Sequence, residues 1–216
     1  MPYWQRQHEL NRSLAAYRAV YPDVDIEFSI CDDGSSVPVH APGCVVTTLP
    51  RKDCALNPCV PINVAVRAST SDVIVLTNPE IEHREPVLQD MLAALQGPDD
   101  YVTASCYEED RGIWLAGPRT VYGTSGREPV PPGSHFHFCA MFRRELFERA
   151  GGFDEDYRFG QGCDDNDWLF RLAAAGANFK HVDKTVYHHR TVHAWTGTTK
   201  QNAALLRKKW LSSESL

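Results

Sequence analysis

The stretch "GGFDEDYRFGQGCDDNDWLFRL", residues 151–172, holds the side chains best suited to proton transfer: Asp164, Asp165 and Asp167 fall within four positions at the start of an apolar helical period. Aspartate at a helix start is favoured by about 0.3–1 kcal/mol through the dipole, and it also caps. One carboxylate meets that need. Two more acidic groups follow runs that read as strands: Asp32 and Asp33 after "DVDIEFSIC", and Glu80 with Glu82 after "DVIVLTNP". Taken singly, each has a plain explanation as a turn or a helix cap. Taken together, they put oxygen donors at several strand ends, where the loops of an open α/β sheet converge on ligands. Such a set divides three tasks: one carboxylate holds a divalent cation, another accepts hydrogen bonds from a nucleotide, and a desolvated third takes a proton.

The elements that must carry these groups alternate. Leu10, Leu14, Tyr17 and Tyr21 recur at helical spacing before "YPD" stops them, and Val24, Ile26, Phe28 and Ile30 then alternate as a strand that ends at the aspartate pair. A short strand "CVVTT", a helix across 60–70 and the uninterrupted apolar run "DVIVLT" follow, the last suited to a buried parallel strand. Val87, Leu88, Met91, Leu92 and Leu95 share a helical face, and "YVTASC" is a further strand. Residues 107–134 are rich in Gly and Pro and read as a long surface loop. The strand "HFHFCAMF", the helix "RRELFERA", a helix over 164–175 stopped by Gly176, two short strands through "VYHH" and a basic helix with "LLRKKW" complete the chain. The order predicts an α/β domain with a mostly parallel sheet.

At 216 residues and 43% hydrophobic, the chain can bury one sizeable core. Lys plus Arg number 22 against 28 Asp plus Glu, and the net charge of -6 argues against general affinity for nucleic-acid backbones or anionic membranes. No run is long enough to span a bilayer, the N-terminus lacks signal-peptide character, and a cytoplasmic protein is expected. The 7 cysteines form no CxxC pair, so neither a disulfide framework nor a zinc knuckle follows.

The segments "FSICDDGSS", "VIVLTNPEIEH" and "GGFDEDYRFGQGCDDNDWLFRL", in this order, resemble glycosyltransferases of the GT-A fold, close to the family 2 group of inverting enzymes. The resemblance covers residues 5–195. It implies a Rossmann-like single domain, with a mostly parallel central sheet flanked by helices, over residues 1–198, followed by a basic helix or tail over 199–216. The usual first strand is absent or reduced to a stub at "MPYWQRQ". The implied reaction moves a sugar from a nucleotide-sugar, most often a UDP-sugar, to an acceptor hydroxyl on a glycan or glycoconjugate, with Mn²⁺ or Mg²⁺ as cofactor. On the same resemblance Asp32, Asp33, Asn63, Asn78 and Tyr3 bind the donor, and Glu80 and His188 hold the metal, ahead of His189 and His193. Asn78-Pro79-Glu80 stands where relatives carry Asp-any-Asp, so only the second end keeps its carboxylate. Asp165 is the expected general base, Asp164 binds an acceptor hydroxyl, and Asp167 supports the helix. Gly152, Phe153 and Trp168 join Asp164 on the acceptor side; the rings of Trp168 and Trp114 can stack on a sugar face, although a tryptophan on a helix is more often core.

Three other readings compete. A nucleotidyltransferase needs a Gly-rich N-terminal loop with a basic residue to cradle a triphosphate, and the N-terminal region has none. A nucleotide-sugar or glycan-binding module without turnover fits the reduced first strand and Asn78. A transferase acting on modified DNA bases has only "LLRKKW" in its favour.

Overall fold

The computed structural model describes residues 1–50, 57–120, 135–189 and 199–211. It opens on a two-residue strand, β1 (Pro2–Tyr3), which pairs in parallel with β2 (Ser29–Asp32), itself parallel to β3 (Val45–Thr48). Helix α1 (Gln7–Val20) lies between β1 and β2, and buries Leu10, Leu14 and Tyr17 at the spacing that the sequence displays. The strand expected from Val24 is confined to its last residues, and Val24 itself is exposed. Helix α2 (Cys59–Ala68) carries Pro61 in its first turn, where a missing N–H costs no helical bond, and packs on all three strands of this sheet.

The larger sheet has the order β4-β8-β6-β9-β5, with β7 added beside β6. Its members are β4 (Val73–Thr77), β5 (Ile81–Glu82), β6 (Asp100–Glu108), β7 (Ile113–Ala116), β8 (Cys139–Arg143) and β9 (Asn178–His188). The sheet is mixed: β6 and β9 are parallel, whereas β8 runs antiparallel to both β4 and β6. The apolar run of β4, expected in a parallel pair, therefore has an antiparallel one. Such a run reports burial on two faces and carries no information about a neighbour's direction. The long loop expected from residue 107 begins later: β6 continues to Glu108, turns at Gly112 (φ 63°) and returns as β7. Residues 121–134 of that loop lie outside the described residues. The two short strands expected after α5 (Asp164–Ala174) are one strand, β9, with an irregularity opposite Ala104 and Ser105.

This topology collects particular chain ends at one edge. Thr77 at the end of β4 faces Cys139 at the start of β8, and β6 and β9 both finish at that same edge. Helix α5 returns to β9 through the tight turn Ala175–Ala177, so it runs against β9 and its N-terminus points toward the edge where β9 ends. Helices α3 (Val87–Ala94) and α4 (Arg144–Ala150) complete the layers, α4 ending at Gly151 in the left-handed conformation. Beneath α5 an aromatic core gathers Tyr101, Phe142, Phe147, Phe153 and Trp168, with Phe153 stacked on Trp168 at 4.7 Å.

The basic C-terminal helix α6 (Thr199–Leu206) continues through Arg207–Leu211 and is docked on this body. Asn202 and Leu206 are buried, and Trp210 stacks on Phe170 at 5.3 Å. Among the described residues, no helix is long and apolar enough to cross a membrane. Six described cysteines are free thiols, and Cys54 lies outside the described residues.

Candidate active site

The acidic start of α5 is held by contacts from three directions. Cys163, which precedes the helix, adopts a left-handed backbone (φ 67°) directly after Gly162 (φ 71°), a strained arrangement for a non-glycine residue. Asn202 secures this loop by donating through Nδ2 to the carbonyls of Tyr157 (3.0 Å) and Gly162 (2.8 Å). Asn57, just before α2, donates through Nδ2 to Asp164 Oδ1 at 2.9 Å. Asp164 is buried, and Asp165 beside it is partly open to solvent.

Burial raises the pKa of Asp164 above the usual carboxylate range, although the Asn57 donor pulls the other way. Asp165 is pushed up to about 7, first by burial and then by the charge of Asp164. The backbone N–H groups at the helix start oppose both shifts and are outweighed. Both shifts move in the direction that lets a carboxylate take up a proton nearer neutral pH. That is the property a general base needs.

Asp167 is built differently. It is fully buried and accepts from Tyr157 Oη (3.2 Å), Trp210 Nε1 (2.7 Å) and Arg171 Nε (2.8 Å). Arg171 also reaches Asp154 Oδ2 at 2.7 Å, and Lys209 pairs with the same carboxylate. With its lone pairs committed, Asp167 ties α5 to α6 and to the segment after Gly152. The three aspartates thus separate into a protonatable pair and a structural anchor.

The expected acceptor residues divide by exposure. Trp168 is 0% exposed and Phe153 2%, their rings stacked on each other inside the core, so the expectation that either ring meets an acceptor is corrected. A helical Trp four positions after an aspartate can face the core or the cleft, and sequence spacing does not distinguish them. Gly152 (φ 69°) lets the chain pass against Asn63: an added Cβ would lie 2.8 Å from Asn63 Oδ1 and 3.0 Å from Phe147 Cζ. Asn63 accepts from Phe153 N (2.8 Å) and donates to Phe153 O (2.8 Å) and Glu155 Oε1 (3.0 Å), so it positions this segment from α2. We expect Gly152→Ala to destabilise the fold by about 1–3 kcal/mol through strain and collision, measurable as a lowered urea midpoint without a change in slope.

At the ends of β1 and β2, Asp32 is 0% exposed and accepts from Ser35 N (2.9 Å) and Val39 N (3.1 Å), which makes it the organiser of the loop after β2. Asp33 follows on that loop, partly exposed, with its N–H donated to Tyr3 O at 2.9 Å. Tyr3, expected to stack on a base, is 3% exposed and packs with Leu10, Leu14 and Ile30. That expectation is corrected: the Tyr3 ring is taken up by the core beneath α1, and the exposed ring is that of Trp4, just past the strand, at 48%. Asn78 is partly exposed, and its carbonyl accepts from Ile81 N, closing the turn that presents Glu80.

The β5–β9 pairing sets Glu80 beside His189, one register position from His188. Ile81 is opposite His188, and His189 N donates to Glu80 O at 2.9 Å. Glu108, 1% exposed in its side chain, binds His188 Nδ1 at 3.1 Å and is itself paired with Arg111, which holds its pKa below the usual range. A carboxylate on Nδ1 fixes the imidazole tautomer with its lone pair on Nε2, the arrangement that supports histidine ligands. Glu80 supplies a buried hard oxygen, and Arg6 Nε donates to its Oε1 at 3.1 Å. His189 is committed elsewhere, at 2.6 Å from Glu82 Oε2, and His193 lies outside the described residues. Among the described residues no three His, Cys, Asp or Glu side chains converge on one point. Glu80 and His188 are thus two candidate ligands that the described residues do not join into a metal centre.

Four contributors escaped the sequence: Arg6, Asn57, Glu108 and Asn202. None lies in a recognisable motif, and each reaches its partner across at least 40 residues.

No protein-family model matches the sequence, and no curated protein matches it either. Solved structures do share its fold. The mannosyltransferase PcManGT from Pyrobaculum calidifontis, in complex with GDP-Man and Mn²⁺, aligns over 96% of this chain at 18% identity and TM-score 0.64. GalNAc-T7 with UDP, GalNAc and Mn²⁺ aligns over 94% at 14% identity and TM-score 0.68. S. aureus TarS, residues 1–349, in complex with UDP-GlcNAc, aligns over 91% at 13% identity and TM-score 0.65. This chain spans 62%, 46% and 59% of those three chains, respectively. At such identities the likeness is one of fold, and the fold is the GT-A-type α/β architecture.

Proposed function

We propose that the protein is a glycosyltransferase that moves a sugar from a nucleotide-sugar to an acceptor hydroxyl with inversion. The observation that carries this reading is the Asp164–Asp165 pair at the start of α5, one member held by Asn57 and the other raised to about 7. The fold supports it, because three neighbours were solved with GDP-Man, UDP with GalNAc, or UDP-GlcNAc.

Asp165 removes the proton of the acceptor hydroxyl as that oxygen attacks the anomeric carbon, and the bond to the nucleoside diphosphate breaks on the opposite side. Asp164 accepts a hydrogen bond from the acceptor, and the backbone of Gly152 and Phe153 borders the same site. Asp33 and Asn78 contact the donor, while Asp32 and Asn63 hold the loop and segment that shape its pocket. Glu80 and His188 would hold Mn²⁺ or Mg²⁺, which would supply positive charge against the departing diphosphate.

The test is incubation with a panel of UDP- and GDP-sugars and Mn²⁺, following release of nucleoside diphosphate with simple sugars or duplex DNA as acceptor. Release that requires a sugar acceptor supports the reading. Tight binding of a donor without release identifies a binding module, and release only with DNA moves the acceptor class. Glu80→Ala is expected to weaken Mn²⁺-dependent donor binding about 10- to 100-fold by calorimetry. An unchanged affinity places the cation elsewhere.

A further inference from the structure

The tripeptide Trp4-Gln5-Arg6 links the two halves of the donor side. Gln5 has a left-handed backbone (φ 50°), a conformation that non-glycine residues hold only where the surroundings impose it. Those surroundings are the loop after β2: Ser35 Oγ accepts from Gln5 N at 3.0 Å, and Gln5 Nε2 donates to Ser36 Oγ at 2.6 Å. The sharp turn at Gln5 aims Arg6 across the sheet edge to Glu80, 74 residues away, with side-chain exposures of 18% for Arg6 and 10% for Glu80.

The Arg6–Glu80 pair therefore stands on the carboxylate assigned to the cation. The guanidinium lies against this largely buried carboxylate and balances its charge. A divalent cation on Glu80 would place a second positive group against Arg6. Repulsion between them is relieved if the guanidinium finds new negative charge, and its planar fork matches phosphate oxygens. The donor's diphosphate is the anion that arrives with the cation.

We infer that Arg6 is an exchangeable counter-charge: it neutralises Glu80 before ligands bind, then passes from Glu80 to the diphosphate of the nucleotide-sugar as the cation takes Glu80. The inference rests on the transferase reading and adds to it a binding residue and a coupling between the two ligands. Cation alone must displace Arg6 and binds weakly. Cation with diphosphate gives Arg6 a new partner, so each ligand strengthens the other, as linkage requires.

Calorimetry on the full chain tests this with three titrants: Mn²⁺ alone, UDP or GDP alone, and nucleotide in saturating Mn²⁺. Arg6→Met removes the competitor and the phosphate partner together. It is expected to bind Mn²⁺ alone about 5- to 10-fold more tightly, and nucleotide with Mn²⁺ about 10- to 100-fold more weakly. Arg6→Lys keeps the charge without the fork, and both affinities should fall between those of the native chain and Arg6→Met. It also supplies a folded variant if the methionine melts early. Opposite changes in the two affinities support the exchange. Nucleotide affinity unaffected by Arg6→Met, or Mn²⁺ affinity unchanged or weakened by it, overturns the exchange while native nucleotide binding leaves the transferase reading standing. A native chain that binds neither UDP nor GDP with Mn²⁺ overturns both.

Discussion

Asp165→Asn is expected to lower turnover by about 10³-fold, while affinity for UDP or GDP with Mn²⁺ stays within about twofold. The amide keeps the carbonyl that accepts from Asn166 N at 2.9 Å, so the helix start persists and only proton acceptance is lost. Transfer at native rates by this variant would assign the base to another group. The native enzyme's acid limb should report the same residue: kcat/KM falls as the pH drops through about 7, where Asp165 takes up its proton, and this limb vanishes in the residual activity of the variant.

The variant has an opposite effect on stability. A carboxyl whose folded pKa lies above its unfolded value of 3.8 contributes stability that is complete below 3.8 and is lost as the pH rises through about 7. At pH 8 the native protein therefore carries a partly buried charge that opposes folding. Asp165→Asn should be more stable than the native chain there by about 2 kcal/mol, and the difference should shrink toward pH 4. Denaturant titrations at the two pH values measure it, and a gain that is equal at both would mean that the charge is not its source.

Two positions further along, Asp167→Ala is expected to lose about 3–5 kcal/mol and lower the melting temperature by about 10 °C. The substitution strands three donors, Tyr157 Oη, Trp210 Nε1 and the charged Arg171 Nε, around a fully buried position. Arg171 retains Asp154, which Lys209 shares, so the remainder of the network limits the loss. A melting temperature within about 2 °C of the native value would show that the anchor is dispensable. The neighbours Asp165 and Asp167 thus change stability in opposite directions, because one carboxylate has only backbone donors and no cation against it, while the other has three side-chain donors, one of them charged.

Much of the scaffold was legible in the residues. The helices at 7–20, 87–94 and 164–174 follow from apolar spacing, and the short strands around Ile30, Val46 and Leu76 from apolar runs bounded by turn residues. Local sequence encodes such periods because each depends on neighbours a few positions away. The parallel direction expected for the sheet holds for β1, β2 and β3 and for β6 with β9, whereas the antiparallel direction of β8 was not legible. Burial of β4 is the same whether its partner is parallel or antiparallel, and the length of the connection to β8 allows either. The Gly- and Pro-rich composition after residue 107 hid the end of β6 and all of β7, since a hairpin needs few residues and its pairing lies across the turn.

By itself the sequence determined the types of side chain available for chemistry: carboxylates at strand ends and three at one helix start, set on an alternating α/β pattern. Only the tertiary structure decided which of them do what. Asp164, Asp165 and Asp167 are indistinguishable by type, and their roles separate through partners brought from 40 or more residues away: Asn57 on Asp164, Trp210 on Asp167 and burial around Asp165. The exposure of Trp4 in place of Tyr3, the closure of Trp168 and the meeting of Arg6 with Glu80 were decided in the same way. Proton affinity and ligand access are set by desolvation and by opposing charge, and both are properties of the folded surroundings rather than of the chain's order.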